Sequence, residues 1–159
     1  MESARAARID DGDRVAALRG DAARSLAGAR GAELLITQRE ARAVPWERWV
    51  QDPDRLAVVG TLDLHVVGYG LARLETLENG ERIEAVEEVW VQSDARGVGV
   101  GEALMTAILE WGRAAGCRGI DGDALPGDRV MKGFFERYGL TARLLVMHHR
   151  FAGPSASRP

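Results

Sequence analysis

Alternating glycines between positions 97 and 101 separate an apolar run from a long amphipathic helix, and this turn constrains the fold more than any other segment. Residues 83–91 are rich in Val, with Ile and Trp, which predicts a strand. After the turn, Leu104, Ile108 and Trp111 recur at the spacing of one helical face. Glycines let a backbone approach a ligand closely, and free N–H groups at a helix start favour negative charge. The turn is therefore predicted to bind a phosphate or pyrophosphate.

Two other phosphate-binding loops do not match this turn. A P-loop ends in Gly-Lys-Ser/Thr, whereas Gly101 is followed by Glu102 and Ala103. A dinucleotide-binding fingerprint needs a further glycine three residues after the second one, and the two possible frames put Glu102 or Leu104 there. A nucleotide-hydrolysing site and a Rossmann site are therefore not predicted.

The turn resembles the Arg/Gln-x-x-Gly-x-Gly/Ala signature of the GCN5-related N-acetyltransferase (GNAT) family, with Arg96, Gly99 and Gly101 in the three defining places. The resemblance covers about residues 5–151. It implies an α/β (α+β) architecture, the acyl-CoA N-acyltransferase fold, with a mixed, mostly antiparallel sheet of six or seven strands and helices on both faces. Only strands four and five are expected to run parallel, and then to diverge.

A second segment, residues 128–140, resembles the family's Asn-x-x-Ala-x-x-Leu-Tyr-Glu-x-x-Gly-Phe helix, which flanks the pantetheine arm and thiol of the coenzyme. Two residues depart from that pattern. Asp128 stands in place of the usual Asn, and Phe135 stands in place of the tyrosine proposed to protonate the departing thiolate. Tyr138, three residues later, is an alternative proton donor or a packing residue.

The remaining pattern predicts one domain over residues 1–152, followed by a disordered tail at 153–159. Proline, glycine and the hydrophobic periodicity mark the elements. The predicted strands are 8–13, 56–62, 65–77, 83–91, 118–124 and one or two strands within 141–151. The predicted helices are 15–26, 46–50, one that starts near Gly101, and 128–138.

The resemblance implies that acetyl-CoA is bound as the acetyl donor, by the strand before the turn, the turn itself and the second segment. Backbone groups of the strand would reach the pantetheine, and one N–H would polarise the thioester carbonyl. The residues expected to contact the coenzyme are Val89, Trp90, Val91, Arg96, Gly97, Val98, Gly99, Val100, Gly101, Glu102, Asp128 and Phe135.

Acetyl transfer to an amine also needs a base, because the amine must be neutral to attack. Glu87 and Glu88 are the nearest carboxylates to the turn in sequence, and strand alternation would send them to opposite faces. Two alternatives stay open: both are solvated strand residues, or His65 is the base. Trp46 and Trp49 either border the acceptor pocket or anchor a short helix to the core.

Composition narrows the function further. The 159 residues carry a formal net charge of −3, which does not favour binding to nucleic acid. Cys117 is the only cysteine and is predicted to be structural, so neither a disulfide nor a cysteine-based metal site is expected, and no metal is assigned. Because no signal-like or membrane-spanning run is found, a soluble, cytoplasmic protein is expected. A homodimer is left open.

These features together predict an acetyl-CoA-dependent N-acetyltransferase that acts on the primary amine of an unidentified acceptor, a small molecule in the first instance. Two alternatives remain: a protein N-terminal or lysine acetyltransferase, and an acyl-CoA-binding module with little catalysis. The sequence does not identify the acceptor, because a fold alone never does.

Overall fold

A computed structural model describes residues 1–151, so the predicted disordered tail at 153–159 lies outside the described residues. Within them, five strands form one sheet in the order β1-β2-β3-β4-β5. The strands are β1 (Glu2–Ala6), β2 (Arg55–Leu62), β3 (His65–Thr76), β4 (Arg82–Val91) and β5 (Gly119–Gly122). The helices are α1 (Gly12–Ser25), α2 (Ala32–Ala41), α3 (Trp46–Gln51), α4 (Val100–Ala114) and α5 (Arg129–Glu136), and two 3₁₀ turns span Ile9–Asp11 and Ser93–Ala95.

The first four strands pair antiparallel in sequence order, whereas β5 runs parallel to β4. A parallel pair needs a crossover connection, and here α4 supplies it. The parallel ladder is short, from Ile83 opposite Gly119 to Val86 opposite Gly122. The predicted acyl-CoA N-acyltransferase fold, mixed and mostly antiparallel with one parallel pair, is confirmed.

Helices cover both faces of the sheet, as predicted. Successive residues of β2 pack on opposite faces of the sheet. Val59 belongs to the hydrophobic cluster that includes Leu18 of α1 and Trp49 of α3. Val58 belongs to the cluster that includes Leu104 of α4. The second cluster also includes Phe135 of α5. The sheet is therefore the middle of three layers, and β4 lies between the central strand β3 and the edge strand β5.

The expected count of six or seven strands was wrong, because residues 141–151 form no strand. Their backbone makes no hydrogen bond within the described chain; instead, Arg143 pairs with Asp121 of β5 and Arg150 with Glu33 of α2. An apolar, β-branched segment becomes a strand only where a neighbouring strand pairs with it. The large apolar side chains of this segment stay 70% to 89% exposed: Leu144, Leu145, Val146, Met147 and Phe151.

The first strand was also predicted in the wrong place. It lies at Glu2–Ala6, not within 8–13. There, the carboxylate of Asp11 accepts a hydrogen bond from the amide of Arg8 at 2.7 Å and pairs with the Arg5 guanidinium. Asp side chains that bond to nearby backbone compete with strand formation, so this segment becomes a 3₁₀ turn leading into α1.

The helix α2 was not predicted from the sequence. Of its ten residues only Ala32 is buried, so its apolar residues form no clear stripe. It begins next to the connection between β5 and α5, where an ideal Cβ at Gly31 would lie 3.5 Å from the Leu125 side chain. A helix that buries so little surface gives a weak periodic signal.

Glu84 is a buried carboxyl group on the α4 face of β4. It is 1% exposed, and its Oε1 has no hydrogen-bond partner within residues 1–151. It fits there because Gly112 of α4 has no side chain: an ideal Cβ at Gly112 would lie 1.9 Å from Oε2. Burial raises the pKa of Glu84 to about 7, because the ionised form loses its hydration.

Replacing Glu84 with Gln should stabilise the protein at pH 8 but not at pH 5. A carboxyl whose pKa rises on folding binds more protons in the folded chain, so its contribution to the free energy of unfolding falls as the pH rises from 4.5 towards 7. The shift corresponds to on the order of 3 kcal/mol. Urea unfolding should show the wild type losing about that much relative to Glu84→Gln between the two pH values.

The exposed Glu78, in the turn between β3 and β4, offers a matched control. Glu78→Gln removes the same charge from an exposed position, so the stability of this variant should follow that of the wild type at both pH values. Equal pH dependence of the wild type and Glu84→Gln would show that Glu84 does not titrate in this range.

Candidate active site

The glycine turn connects the end of β4 to the start of α4. β4 ends at Val91 and α4 starts at Val100, which confirms the boundaries predicted near Val91 and Gly101. Gly97 and Gly99 have φ angles of 77° and 94°, a left-handed conformation that favours glycine. Gly99 is the N-cap of α4, so the strained residue lies directly before the first helical turn.

The start of α4 presents unpaired backbone donors. Within residues 1–151, the first amide of this region to find a backbone acceptor is that of Ala103, which bonds to the Gly99 carbonyl at 2.9 Å. The amides of residues 97–102 stay available to a ligand. Together with the positive end of the helix dipole, they form a site suited to an anion.

The side chains of the turn are arranged so that a ligand meets mainly backbone. Val100 is fully buried in the α4 face of the core, whereas Val98 and Glu102 are exposed. The Arg96 side chain folds back over β4: its Nε donates to the Val91 carbonyl at 2.8 Å, and its guanidinium lies 5.6 Å from the ring centroid of Trp90. Arg96 therefore fastens the turn to the end of the strand.

A narrow cleft of about 60 Å³ opens where β4 and β5 separate. The pairing of the two strands stops at Val86 and Gly122, and β4 residues 86–90 form one wall beyond that point. The opposite wall comes from the β5 to α5 connection and α5 itself, through Asp128 and Phe135. α1, α2 and Tyr69 of β3 close the far side of the cleft.

Glu87 and Glu88 both line this cleft, so the expectation that strand alternation sends them to opposite faces was wrong. A β-bulge explains the difference. Leu71 pairs with Glu88 and Ala72 pairs with Val86, so Glu87 is an extra residue in β4. A bulge resets the alternation of a strand, and here it turns two consecutive carboxylates to the same side.

Glu88 is held by a network of hydrogen bonds. The Arg19 guanidinium of α1 approaches its carboxylate through Nε and through the terminal nitrogen at 2.6 Å. The Tyr69 hydroxyl donates to the other oxygen at 2.8 Å. Burial, followed by the negative charge of Glu88, raises the pKa of Tyr69, so the phenol stays protonated and acts as a donor. The oxygens of Glu88 are therefore occupied by protein donors.

Glu87 has a simpler environment. Its carboxylate pairs with the Nε of Arg73 on β3 at 2.6 Å, and its side chain is 14% exposed, against 8% for Glu88. Arg73 also pairs with Glu75, and within residues 1–151 no other donor bonds to the Glu87 carboxylate, which lines the cleft. Of the two carboxylates, Glu87 is the one with acceptor capacity left for a ligand or a water molecule.

The second sequence segment forms the α5 wall. The Asp128 carboxylate accepts the amide of Met131 at 2.9 Å, so it caps α5 in the way that Asn would. Phe135 is buried, and an ideal Cβ at Gly122 would lie 2.6 Å from its Cζ. The para carbon of the ring therefore abuts the backbone of β5, where a tyrosine hydroxyl would have to fit.

A sequence model of the acetyltransferase (GNAT) family matches residues 24–140, a span that contains the glycine turn and both carboxylates of the cleft. This chain belongs to the GNAT acetyltransferase family. No curated protein matches it in sequence.

Solved structures with the same fold resemble this GNAT protein over nearly its whole length. Glucosamine-6-phosphate N-acetyltransferase from Arabidopsis thaliana is 18% identical with a TM-score of 0.67, covering 96% of this chain and 99% of that one. AAC(6')-Iy in complex with the bisubstrate analogue CoA-S-monomethyl-acetylneamine is 16% identical with a TM-score of 0.70, covering 96% and 99%. Ribosomal-protein-alanine N-acetyltransferase from Brucella melitensis biovar Abortus 2308 is 18% identical with a TM-score of 0.68, covering 95% and 100%.

Other sequence candidates lie away from the cleft of the GNAT protein. Trp46 and Trp49 pack in the α1 face of the core, and the Trp46 indole donates to the Arg8 carbonyl at 3.0 Å. His65 is exposed at the first residue of β3. Cys117 is half-buried, and burial raises the pKa of its thiol, in agreement with a structural cysteine.

Sequence reasoning missed the cations that neutralise the two carboxylates. Arg19 is 69 positions from Glu88 in the chain, and only the packing of α1 on the sheet brings the two together. Arg73 carries a local signal, because it follows Leu71 at the spacing of one strand face and a hairpin connects β3 to β4. Phe134 was also missed, although it contacts α4: an ideal Cβ at Gly101 would lie 3.4 Å from its ring.

Two kinds of feature are absent from the described part of the chain. No group of three His, Cys, Asp or Glu side chains within residues 1–151 is arranged to hold a metal ion. In the same range, no helix combines the length and the apolar character that crossing a bilayer requires.

Phe135→Tyr should destabilise the protein. The added hydroxyl would extend from the ring carbon that abuts Gly122, and overpacking a core position of this kind costs about 1–3 kcal/mol. Chemical unfolding measures the loss, and Phe151→Tyr is the matched control, because it adds the same hydroxyl to an exposed ring. A Phe135→Tyr variant as stable as the wild type would show that the backbone of β5 can move at Gly122 to accommodate the hydroxyl.

Proposed function

We propose that this GNAT protein transfers the acetyl group of acetyl-CoA to the primary amine of a small molecule. One observation carries the proposal: a left-handed glycine turn with open helix amides lies at one end of β4, and the cleft along the same strand leads to Glu87. An anionic coenzyme with a reactive end needs both parts. The CoA-containing analogue bound to AAC(6')-Iy supports a CoA donor for a chain of the same fold.

In this proposal the pyrophosphate binds the amides of residues 97–102, with Arg96 beside them. The pantetheine follows Val89, Trp90 and Val91, and Asp128 and Phe135 flank its thiol end. The order of these residues supports the assignment, because the turn and the cleft lie at successive positions along β4. The separation of β4 from β5 leaves strand backbone free to bond to the amide groups of the arm.

The chemistry is a simple displacement. The amine nitrogen forms a bond to the thioester carbonyl carbon, the carbon–sulfur bond breaks, and sulfur leaves with the electron pair. The nitrogen also loses its proton, so the products are an acetamide and the coenzyme thiol. A thiol with a pKa of about 8.5 leaves readily as thiolate, so a tyrosine at position 135 is not required for the departure of the coenzyme.

Glu87 is the proposed base, acting directly or through a water molecule. Glu88 is less suited, because Arg19 and Tyr69 already occupy its oxygens. Glu87 has one protein partner, Arg73, and borders the cleft in which the acceptor would meet the thioester. Because Phe135→Tyr crowds β5 instead of adding a donor to the cleft, we expect no gain in turnover from it.

The size of the cleft favours a small acceptor, since α1 and α2 cover the side away from α5. A peptide acceptor is the second candidate, and an acyl-CoA-binding module with little catalysis is the third. Purified protein should be incubated with acetyl-CoA and panels of small amines and peptides, and free thiol should be measured. Thiol release only with peptides would favour the second candidate, and none with any amine would favour the third.

Gly99→Val should weaken acetyl-CoA binding by roughly 100-fold, about 2.7 kcal/mol. A β-branched residue is strained at φ 94°, and its Cβ would lie 3.0 Å from Glu2 Cγ, so the turn that presents the amides would shift. Isothermal calorimetry measures the affinity. Gly80→Val is the control, because Gly80 has a φ of 82° in an open turn away from the site. Equal affinities of Gly99→Val and Gly80→Val would refute the placement of the coenzyme.

Glu87→Gln should lower kcat by about 10²- to 10⁴-fold once an acceptor is known, and should remove the acidic limb of the pH profile. The loss at low pH arises because a protonated base cannot accept the ammonium proton. Glu88→Gln should lower stability, because it disturbs the network with Arg19 and Tyr69, but should keep the shape of the profile. The reverse pattern in the two variants would move the assignment to Glu88.

A further inference from the structure

Arg39 is a cation in the wall of the cleft. It lies in the last turn of α2, its side chain is half-buried, and it lines the same cleft as Glu87 and Glu88. Among the hydrogen bonds and ion pairs of residues 1–151, none involves the Arg39 guanidinium. A partly buried guanidinium has five donors to satisfy, so this one is a binding group without a protein partner.

Two other cations near the cleft have acidic partners. Arg19 pairs with Glu88, and Arg73 pairs with both Glu87 and Glu75. Tyr69 lines the same cleft as Arg39, and burial raises the pKa of its phenol, so the hydroxyl stays protonated. Arg39 forms no ion pair within residues 1–151, although Asp123 and Asp128 also line the cleft.

Leu35 shapes the space between Arg39 and the rest of the cleft. It precedes Arg39 by one helical turn, so the two side chains share a face of α2, and both line the cleft. A ligand along this wall would meet an apolar side chain and then a guanidinium. This arrangement suits a molecule whose charged groups are separated by an apolar hydrocarbon segment.

We propose that Arg39 binds an anionic group of the acceptor, a carboxylate or a phosphate, and so selects amines that also carry a negative charge. The inference rests on the proposed acetyltransferase function, and it assigns the class of acceptor. A guanidinium pairs with either anion through two parallel hydrogen bonds, which fixes orientation as well as charge. The anion held at α2 leaves the amine end to extend towards Glu87 on β4.

Matched pairs of acceptors test this assignment. One arm compares amino acids with their carboxamides, and the other compares phosphorylated amines with their dephosphorylated counterparts. Both KM for thiol release and the equilibrium affinity in the presence of CoA should be measured. In the wild type, the anionic member of at least one arm should bind at least tenfold more tightly than its neutral partner. The arm that shows this preference identifies the anion as carboxylate or phosphate.

Variants of α2 locate the effect. Arg39→Gln should remove the tenfold preference by weakening binding of the anionic partner, and Arg39→Lys should restore part of it as a single point charge. Arg42→Gln is the matched control, because it removes an equal charge from an exposed position three residues later. It should leave the preference intact.

Three outcomes would overturn the proposal. They are equal affinity of the wild type for the anionic and neutral members of both arms, equal weakening of both members by Arg39→Gln, and weaker binding of CoA itself in Arg39→Gln. Preferential binding of anionic amines without thiol release would leave Arg39 in its assigned role and would refute the transferase function instead.

Discussion

The separation of β4 from β5 after Val86 and Gly122 is the constraint on which the site depends. In a continuous parallel sheet, the backbone of β4 beyond Val86 would be hydrogen-bonded to its neighbour. Phe135 of α5 packs against β5 at Gly122, the last residue of the strand. One strand therefore has two roles: its first half holds the core together, and its second half borders a cleft.

Charge compensation makes the carboxylates of this cleft tolerable. A carboxylate removed from water is costly unless a cation and hydrogen bonds replace its hydration. Glu88 receives both from Arg19 and Tyr69, and Glu87 receives a cation from Arg73. Glu84 of the same strand has no such partner within residues 1–151, and burial raises its pKa instead. The strand thus shows two solutions to the same problem, one on each face.

The sequence predicted those parts of the protein that short-range patterns determine. The glycine turn, α4 and the antiparallel strands follow from local residue types, and the resemblance built on Arg96, Gly99 and Gly101 gave the fold. The remaining features arise from partners distant in the chain. The pairing of Arg19 with Glu88 depends on helix packing, and the missing strand at 141–151 depends on a neighbour that does not pair. Strand alternation failed at Glu87 because a bulge leaves no distinct residue pattern.

The bulge at Glu87 shifts the alternation of side chains along β4 by one residue. Residues of β4 before Val86 and after Glu87 are offset by one position, so the faces that a uniform period of two would assign are exchanged from there onwards. The same residues in regular alternation, without the bulge, would turn Val89 from the α4 core towards the α1 face and Glu88 into apolar surroundings. The one unpaired residue at Glu87 thereby decides which of the following side chains belong to the core and which to the cleft.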